Sequence, residues 1–175
     1  MPLRGDHEEL FLAALEGHDT LGRWHSAGGE QTLRSYGVEC SRDIPLLHRT
    51  FLSRCEGRHE TDTHFFVHAN YRADQPLKYQ PAVVLRRKSL DDEMPGPHFT
   101  GKVAVVGHTP QKSGKILDLG YLVGIDTYCH GGGWLTALDV GSGRWWQANQ
   151  QGEVREGRLA SAASEPVATR EQPST

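Results

Sequence analysis

The spacing of apolar positions changes character along the chain. Up to about residue 60 it is helical. Leu10 with Ala14 and Phe11 with Leu15 recur at i, i+4 within 8–16, one face of an amphipathic helix, and Gly17 stands where a C-terminal cap belongs. Shorter helices are predicted at 31–36 and 45–53, the latter with Pro45 at its first position. From about 63 to 150 the pattern is that of strands. Residues 64–68 form a short run rich in β formers, and 102–108 is apolar on both faces and therefore central in a sheet. Strands are also predicted at 121–125, 134–140 and 144–149, the last two joined by a turn at Gly141-Ser142-Gly143. Between them 76–88 reads as one helix, and 89–101 as a loop broken by Pro95 and Pro97. The periodicity then stops. The expected organisation is a single domain over 1–152 and a disordered tail over 153–175, rich in Ala, Ser, Glu and Pro.

Composition narrows the function classes. With 175 residues the chain is long enough for one ordinary domain. Lys and Arg total 19 against 22 Asp and Glu, a net charge of −3, which gives no reason to expect a nucleic acid or membrane partner. The tight basic run Arg86-Arg87-Lys88 is followed by Asp91-Asp92-Glu93 and reads as a solvated patch. A mean hydropathy of −0.56 with only short apolar runs excludes a membrane-spanning helix. The first residues carry no apolar signal region, and the three cysteines form no C-x-x-C pair, so a cytoplasmic location is expected. Ten histidines are more than this length usually holds.

Two of those histidines stand out. His68 and His108 each end an apolar strand and are followed by small or turn-forming residues, which delivers both to one sheet edge, where ligands gather in open sheets. Two imidazoles there could share a metal, or each could be the polar residue at which a strand surfaces. Asp6 precedes the first helix and, with Glu9 three residues on, fits a capping box. The other reading makes Asp6 an oxygen ligand and His7 a proton donor beside it. Trp134, Trp145 and Trp146 read as hairpin packing, and Gly131-Gly132-Gly133 as a turn, since no strand and helix flank it in the manner of a phosphate loop.

Taken in order, these segments resemble a known family. Arg4-Gly5-Asp6-His7-Glu8 is similar to the R-G-N-H-E motif of the serine/threonine protein phosphatases, within the calcineurin-like metallophosphoesterases. Phe66 through Arg72 resembles the F-V-H-A-G-x-R segment, Val106 through Pro110 the H-G-H-T-P segment, and Ile125-Asp126-Thr127 with 135–139 the I-D-T-G…L-T-A-L-D close. The resemblance implies an α+β fold, the C-terminal two-thirds of an α/β/β/α sandwich of the metallophosphatase type. It also implies a metal-dependent phosphoester hydrolase, foremost a phosphoserine or phosphothreonine protein phosphatase. Diadenosine tetraphosphate hydrolysis is the alternative within the class.

Carried over residue by residue, the resemblance makes Asp6, His68 and His108 metal ligands and His7 the general acid. Arg4 and Arg72 become the partners of the substrate phosphate. In the family two divalent ions (Mn, Fe or Zn) hold a bridging hydroxide that attacks phosphorus in line. This chain departs from the pattern in lacking the D-x-H and G-D-x-x-D-R-G motifs that precede R-G-N-H-E, so it reads as truncated at its N-terminus. The ligands present here then suffice for at most one ion. A non-catalytic remnant acting as a binding module is the reading from another class. Asn70 and Tyr128 stand where the family has glycine, which makes the backbone at both a point to examine.

Overall fold

The structure, a computed structural model, describes residues 1–17 and 21–164. The first helix, α1, spans Asp6–Leu15 and buries Leu10, Phe11 and Ala14 against Trp24, Leu33 and Ile44. Trp24 ends α2 (Leu21–Trp24). A π-helical segment, His25–Gly29, kinked at Ala27 and Gly28, leads into α3 (Glu30–Tyr36), which carries Leu33. The predicted face of α1 is the one that packs. Its cap, however, is Gly5 and not Asp6: the Gly5 N–H donates to Glu8 Oε2 at 2.8 Å, so the carboxylate half of the box runs one residue earlier, and glycine has no side chain to supply the other half. Asp6 becomes the first helical residue, where a carboxylate is favoured by the helix dipole and need not serve as the cap.

Helix α4 spans Leu46–Ser53, with Pro45 immediately before it as the N-cap. The single helix expected over 76–88 is two pieces, a 3-10 turn at Leu77–Tyr79 and α5 at Ala82–Arg87. Pro81 separates them: it lacks an N–H and holds the preceding Gln80 extended, at φ −77° and ψ 140°.

Among the described residues nine strands make two sheets, and the fold is α+β as expected. The first sheet contains β1 (His59–Glu60), β2 (His64–Phe66), β3 (Val103–Val106), β4 (Leu117–Asp118) and β5 (Leu122–Gly124), in the order β1-β2-β3-β5-β4. Its central strands β2, β3 and β5 are parallel and its edges antiparallel. Phe65, Ala104 and Leu122, fully enclosed, pack with Val67, Val106 and Leu85 of α5 into the main core. Each large side chain there contributes roughly 1.5–3 kcal/mol through burial. The second sheet is an antiparallel meander of β6 (Asp126–Thr127), β7 (Trp134–Leu138), β8 (Arg144–Ala148) and β9 (Val154–Arg158).

Strand β9 corrects the expected domain end, because residues 154–158 pair with β8 along their whole length. Its inward positions are Arg155 and Gly157, neither of them a hydrophobe. Arg155 lies over Trp134 at 4.0 Å and donates to Gln147 Oε1 at 2.6 Å, and Gly157 makes room for the Trp145 ring. Beyond β9 a 3-10 turn spans Ser161–Ser164, and 165–175 of the expected tail lies outside the described residues.

The loop from Ser89 onward is pinned beside the end of β3 by Thr109, whose Oγ1 accepts the N–H of buried Leu90 at 2.8 Å and meets Ser89 Oγ at 3.2 Å. Thr109→Val keeps the shape and leaves that N–H unpaired. The expected cost is about 1–3 kcal/mol in urea unfolding, and an unchanged midpoint would contradict the role given to this hydroxyl.

Candidate metal centre

Strands β2 and β3 run side by side, and their ladder continues past both ends. The Val67 N–H donates to Val105 O at 3.2 Å and the Gly107 N–H to His68 O at 2.9 Å. His68 and His108 therefore emerge next to each other at the carboxyl edge of the sheet. The third element is the N-terminus of α1. Residues 2–4 are held by the Arg4 N–H on Glu56 O at 2.7 Å and the Glu56 N–H on Pro2 O at 3.0 Å. One turn into the helix, Glu9 clamps α1 onto α5, accepting from Arg86 at 2.7 Å and pairing with Arg87 at 2.9 Å. The arginines of the basic run are thus half-buried partners of Glu9, and only Lys88 is answered by the acidic triplet, at Glu93.

These elements bring Asp6, His68 and His108 together. His68 Nε2 lies 3.1 Å from Asp6 Oδ1 and 3.2 Å from His108 Nδ1, and His108 Nδ1 lies 3.5 Å from Asp6 Oδ1. Among the described residues this is the one group of three or more His, Cys, Asp or Glu side chains whose donor atoms converge. Three observations fit it to a divalent cation. The donor spacing matches an ion with bonds of about 2.1 Å, which separates its ligand atoms by about 3.4 Å when tetrahedral and about 3.0 Å when octahedral. The other nitrogen of His108, Nε2, donates to the Arg87 carbonyl at 3.1 Å, which leaves the Nδ1 lone pair of the neutral ring facing the group. Finally, with both rings neutral, a proton on His68 Nε2 can satisfy Asp6 or His108, not both, whereas a cation can be shared by all three.

The local electrostatics follow from the same contacts. Burial works to raise the Asp6 carboxyl, but hydrogen bonds from His108 and His68, with charge from His108 and His7, prevail and hold it well below the usual carboxylate range. His108 is raised, chiefly by its hydrogen bond to Asp6, against the opposing effect of its burial. The His108 backbone is left-handed, at φ 64°, a region histidine enters more readily than most residues. Gly5 matters for another reason. A Cβ there would fall 2.8 Å from His68 Cε1, so the absent side chain is the space the His68 ring occupies.

The remaining candidates take different places. The exposed His7 has its Nε2 4.0 Å from Asp6 Oδ2, at the open edge of the group. Arg4 donates from Nη2 to Ser53 O at 2.6 Å, which ties the motif to the end of α4. Arg72 lines a neighbouring cleft of about 520 Å³ with Asn70, Lys88 and Glu93. None of the hydrogen bonds or ion pairs described joins either arginine to Asp6, His68 or His108. Asn70 does not adopt a positive φ; its amide instead donates to Ser89 O and Glu93 O, and its Oδ1 accepts from Tyr71 N. Tyr128 keeps the left-handed conformation of a glycine, at φ 66° and ψ 35°, so the backbone there survives the replacement. Sequence reasoning missed the Arg87 carbonyl, which no side-chain identity announces, and the steric role of Gly5.

No protein-family model matches this chain, and no curated protein matches it. Among solved structures it is similar to a protein provisionally described as a diadenosine tetraphosphatase. The two are 14% identical with a TM-score of 0.51, over 90% of this chain and 67% of the other. At that identity the likeness is one of fold. No helix among the described residues is long and apolar enough to cross a membrane.

Proposed function

We propose that the chain holds a divalent ion at Asp6, His68 and His108 and acts as a phosphoester hydrolase. The observation that carries this reading is the mutual spacing of the three donor atoms, 3.1, 3.2 and 3.5 Å. When bound, the ion supplies Lewis acidity to a phosphoryl oxygen. The chain's own residues do the rest. Asp6 and the two imidazoles fix the position of the charge, the Arg87 carbonyl fixes the tautomer of His108, and His7 stands at the exposed edge as the proton donor for a leaving oxygen. The sequence resemblance favours phosphoserine or phosphothreonine as substrate, and the description of the structural neighbour favours a dinucleoside tetraphosphate.

The test is hydrolysis of a phosphopeptide, a dinucleoside tetraphosphate and p-nitrophenyl phosphate by the manganese-loaded protein, before and after chelation. Turnover lost on chelation supports the proposal, and turnover that survives it overturns the proposal. Ion binding without turnover of any of the three favours the second reading, a non-catalytic binding module. That reading draws on the same observation that only one convergent ligand group exists among the described residues.

The proton-donor role has its own prediction. His7→Asn is expected to slow alkyl phosphoesters, whose leaving groups need a proton, by about 10²–10⁴-fold, and p-nitrophenyl phosphate far less. Equal losses on both would contradict the assignment.

A further inference from the structure

We propose that the groove between α1, α2 and α5 docks an acidic, aliphatic segment of a protein substrate beside its phosphorylated residue. The inference rests on the phosphoester-hydrolase reading and selects the phosphoprotein within it.

The groove has two adjoining halves of about 440 and 370 Å³, which share Leu10 and Arg23. Its floor is aliphatic, made by Leu10 and Ala13 of α1, Ala27 beyond α2, and Val83 of α5. Val83 is 59% exposed, a branched apolar side chain open to solvent. The charged rim is Arg23 on one side and Arg87 on the other, with Glu9 between. Glu9 is shared by Arg86 and Arg87, so this side of the groove keeps one net positive charge. Arg23 is exposed and has no ion-pair partner among the described residues. The rim therefore carries an excess of positive charge over an apolar floor, the complement of a peptide with alternating acidic and aliphatic side chains.

Position and chemistry both connect the groove to the metal centre. Glu9 lies one helical turn along α1 from Asp6, and Arg87, whose side chain forms the rim, holds His108 through its carbonyl. A polypeptide whose phosphorylated residue sits at the ligand group and which runs along α1 enters the groove within that turn. A nucleobase would gain little there. Bases are held by stacking on aromatic faces, and no aromatic side chain lines either half.

The experiment uses a short fluorescein-labelled peptide of alternating glutamate and leucine, unphosphorylated, with chelator present, read by fluorescence anisotropy. Wild type and Asp6→Ala are expected to bind it equally, and Arg23→Glu to bind it about tenfold more weakly. A matching peptide with lysine for glutamate should regain affinity for Arg23→Glu, which shows that the variant is folded and that charge is what is read. With a phosphoserine added to the acidic peptide and manganese restored, Arg23→Glu should raise KM about tenfold at unchanged kcat, with p-nitrophenyl phosphate unaffected. Equal binding of the acidic peptide by wild type and Arg23→Glu, or no gain from the lysine peptide, overturns the proposal. So does a wild-type dimer that Arg23→Glu dissociates, since a second copy would then fill the groove. Peptide binding that holds while the manganese protein turns over no phosphoester refutes the hydrolase reading and leaves the docking groove standing.

Discussion

Asp6→Ala will lower the affinity for manganese or zinc by on the order of a hundredfold or more, read by calorimetry, while the protein remains folded. Asp6 is the one anionic member of the group, and its Oδ1 is within 3.1 Å of one imidazole and 3.5 Å of the other. Without it two neutral nitrogens 3.2 Å apart must hold the ion alone. Alanine suits the first helical position, and the Gly5–Glu8 box that starts α1 does not involve Asp6, so the helix should persist. Unchanged ion affinity would remove Asp6 from the ligand set.

The same substitution carries a pH signature in the ion-free protein. The Asp6 carboxyl is lowered on folding, so its contribution to stability is present above the ordinary carboxylate value and lost as pH falls through the folded one. His108 is raised, so its contribution is full below the ordinary imidazole value and lost as pH rises through the folded one. The stability margin of wild type over Asp6→Ala should therefore be widest between those two ranges and shrink on both sides. Urea unfolding across pH, with chelator present, measures it. A margin flat with pH would mean that the pair is not coupled as the contacts indicate.

The parts of the molecule that were legible in the sequence are those in which burial sets the pattern. The runs ending at His68 and His108 are strands because each faces apolar neighbours, and the structure enters both in the main core through Phe65, Val67, Ala104 and Val106. Their adjacency follows from parallel pairing, which brings two of the three candidate metal-binding side chains to one edge. The pattern misled where something other than apolar burial decides the structure. Strand β9 turns an arginine and a glycine inward, because Trp134 of β7 and Trp145 of β8 supply the bulk that its own side chains lack. The run 76–88 has helical spacing, but Pro81 cannot continue a helical hydrogen-bond ladder. The sequence offers two overlapping box patterns, Asp6-x-x-Glu9 and Gly5-x-x-Glu8, and the helix uses the carboxylate of the second. Only the three-dimensional positions of two imidazoles and two arginines show that Asp6 and Glu9 are both engaged elsewhere.

Gly5→Ala will disable the ligand group with little effect on the fold. The Gly5 backbone is extended, at φ −92° and ψ −173°, which alanine adopts without strain, and exchanging glycine for alanine at an N-cap costs no more than about 1 kcal/mol. The added methyl would instead fall 2.8 Å from His68 Cε1 and 2.9 Å from its Nδ1, with Glu8 Oε2 also at 2.8 Å. The Glu8 carboxylate ends a flexible side chain and can give by a few tenths of an ångström while keeping its bond to the Gly5 N–H. The His68 ring has no such freedom, because its Nε2 must stay within reach of both Asp6 and His108. Displacing it by about an ångström breaks the convergence, and losses of roughly a hundredfold follow from misplacements of that size. Ion affinity should fall accordingly, while the urea midpoint moves by less than about 1 kcal/mol in equivalent stability. Gly22→Ala, where an added methyl meets nothing within 4 Å, is the control and should leave ion binding unchanged. If Gly5→Ala binds the ion as tightly as wild type, the His68 ring does not occupy the space beside Gly5 when the ion is held. The glycine would then owe its place to the turn into α1 alone.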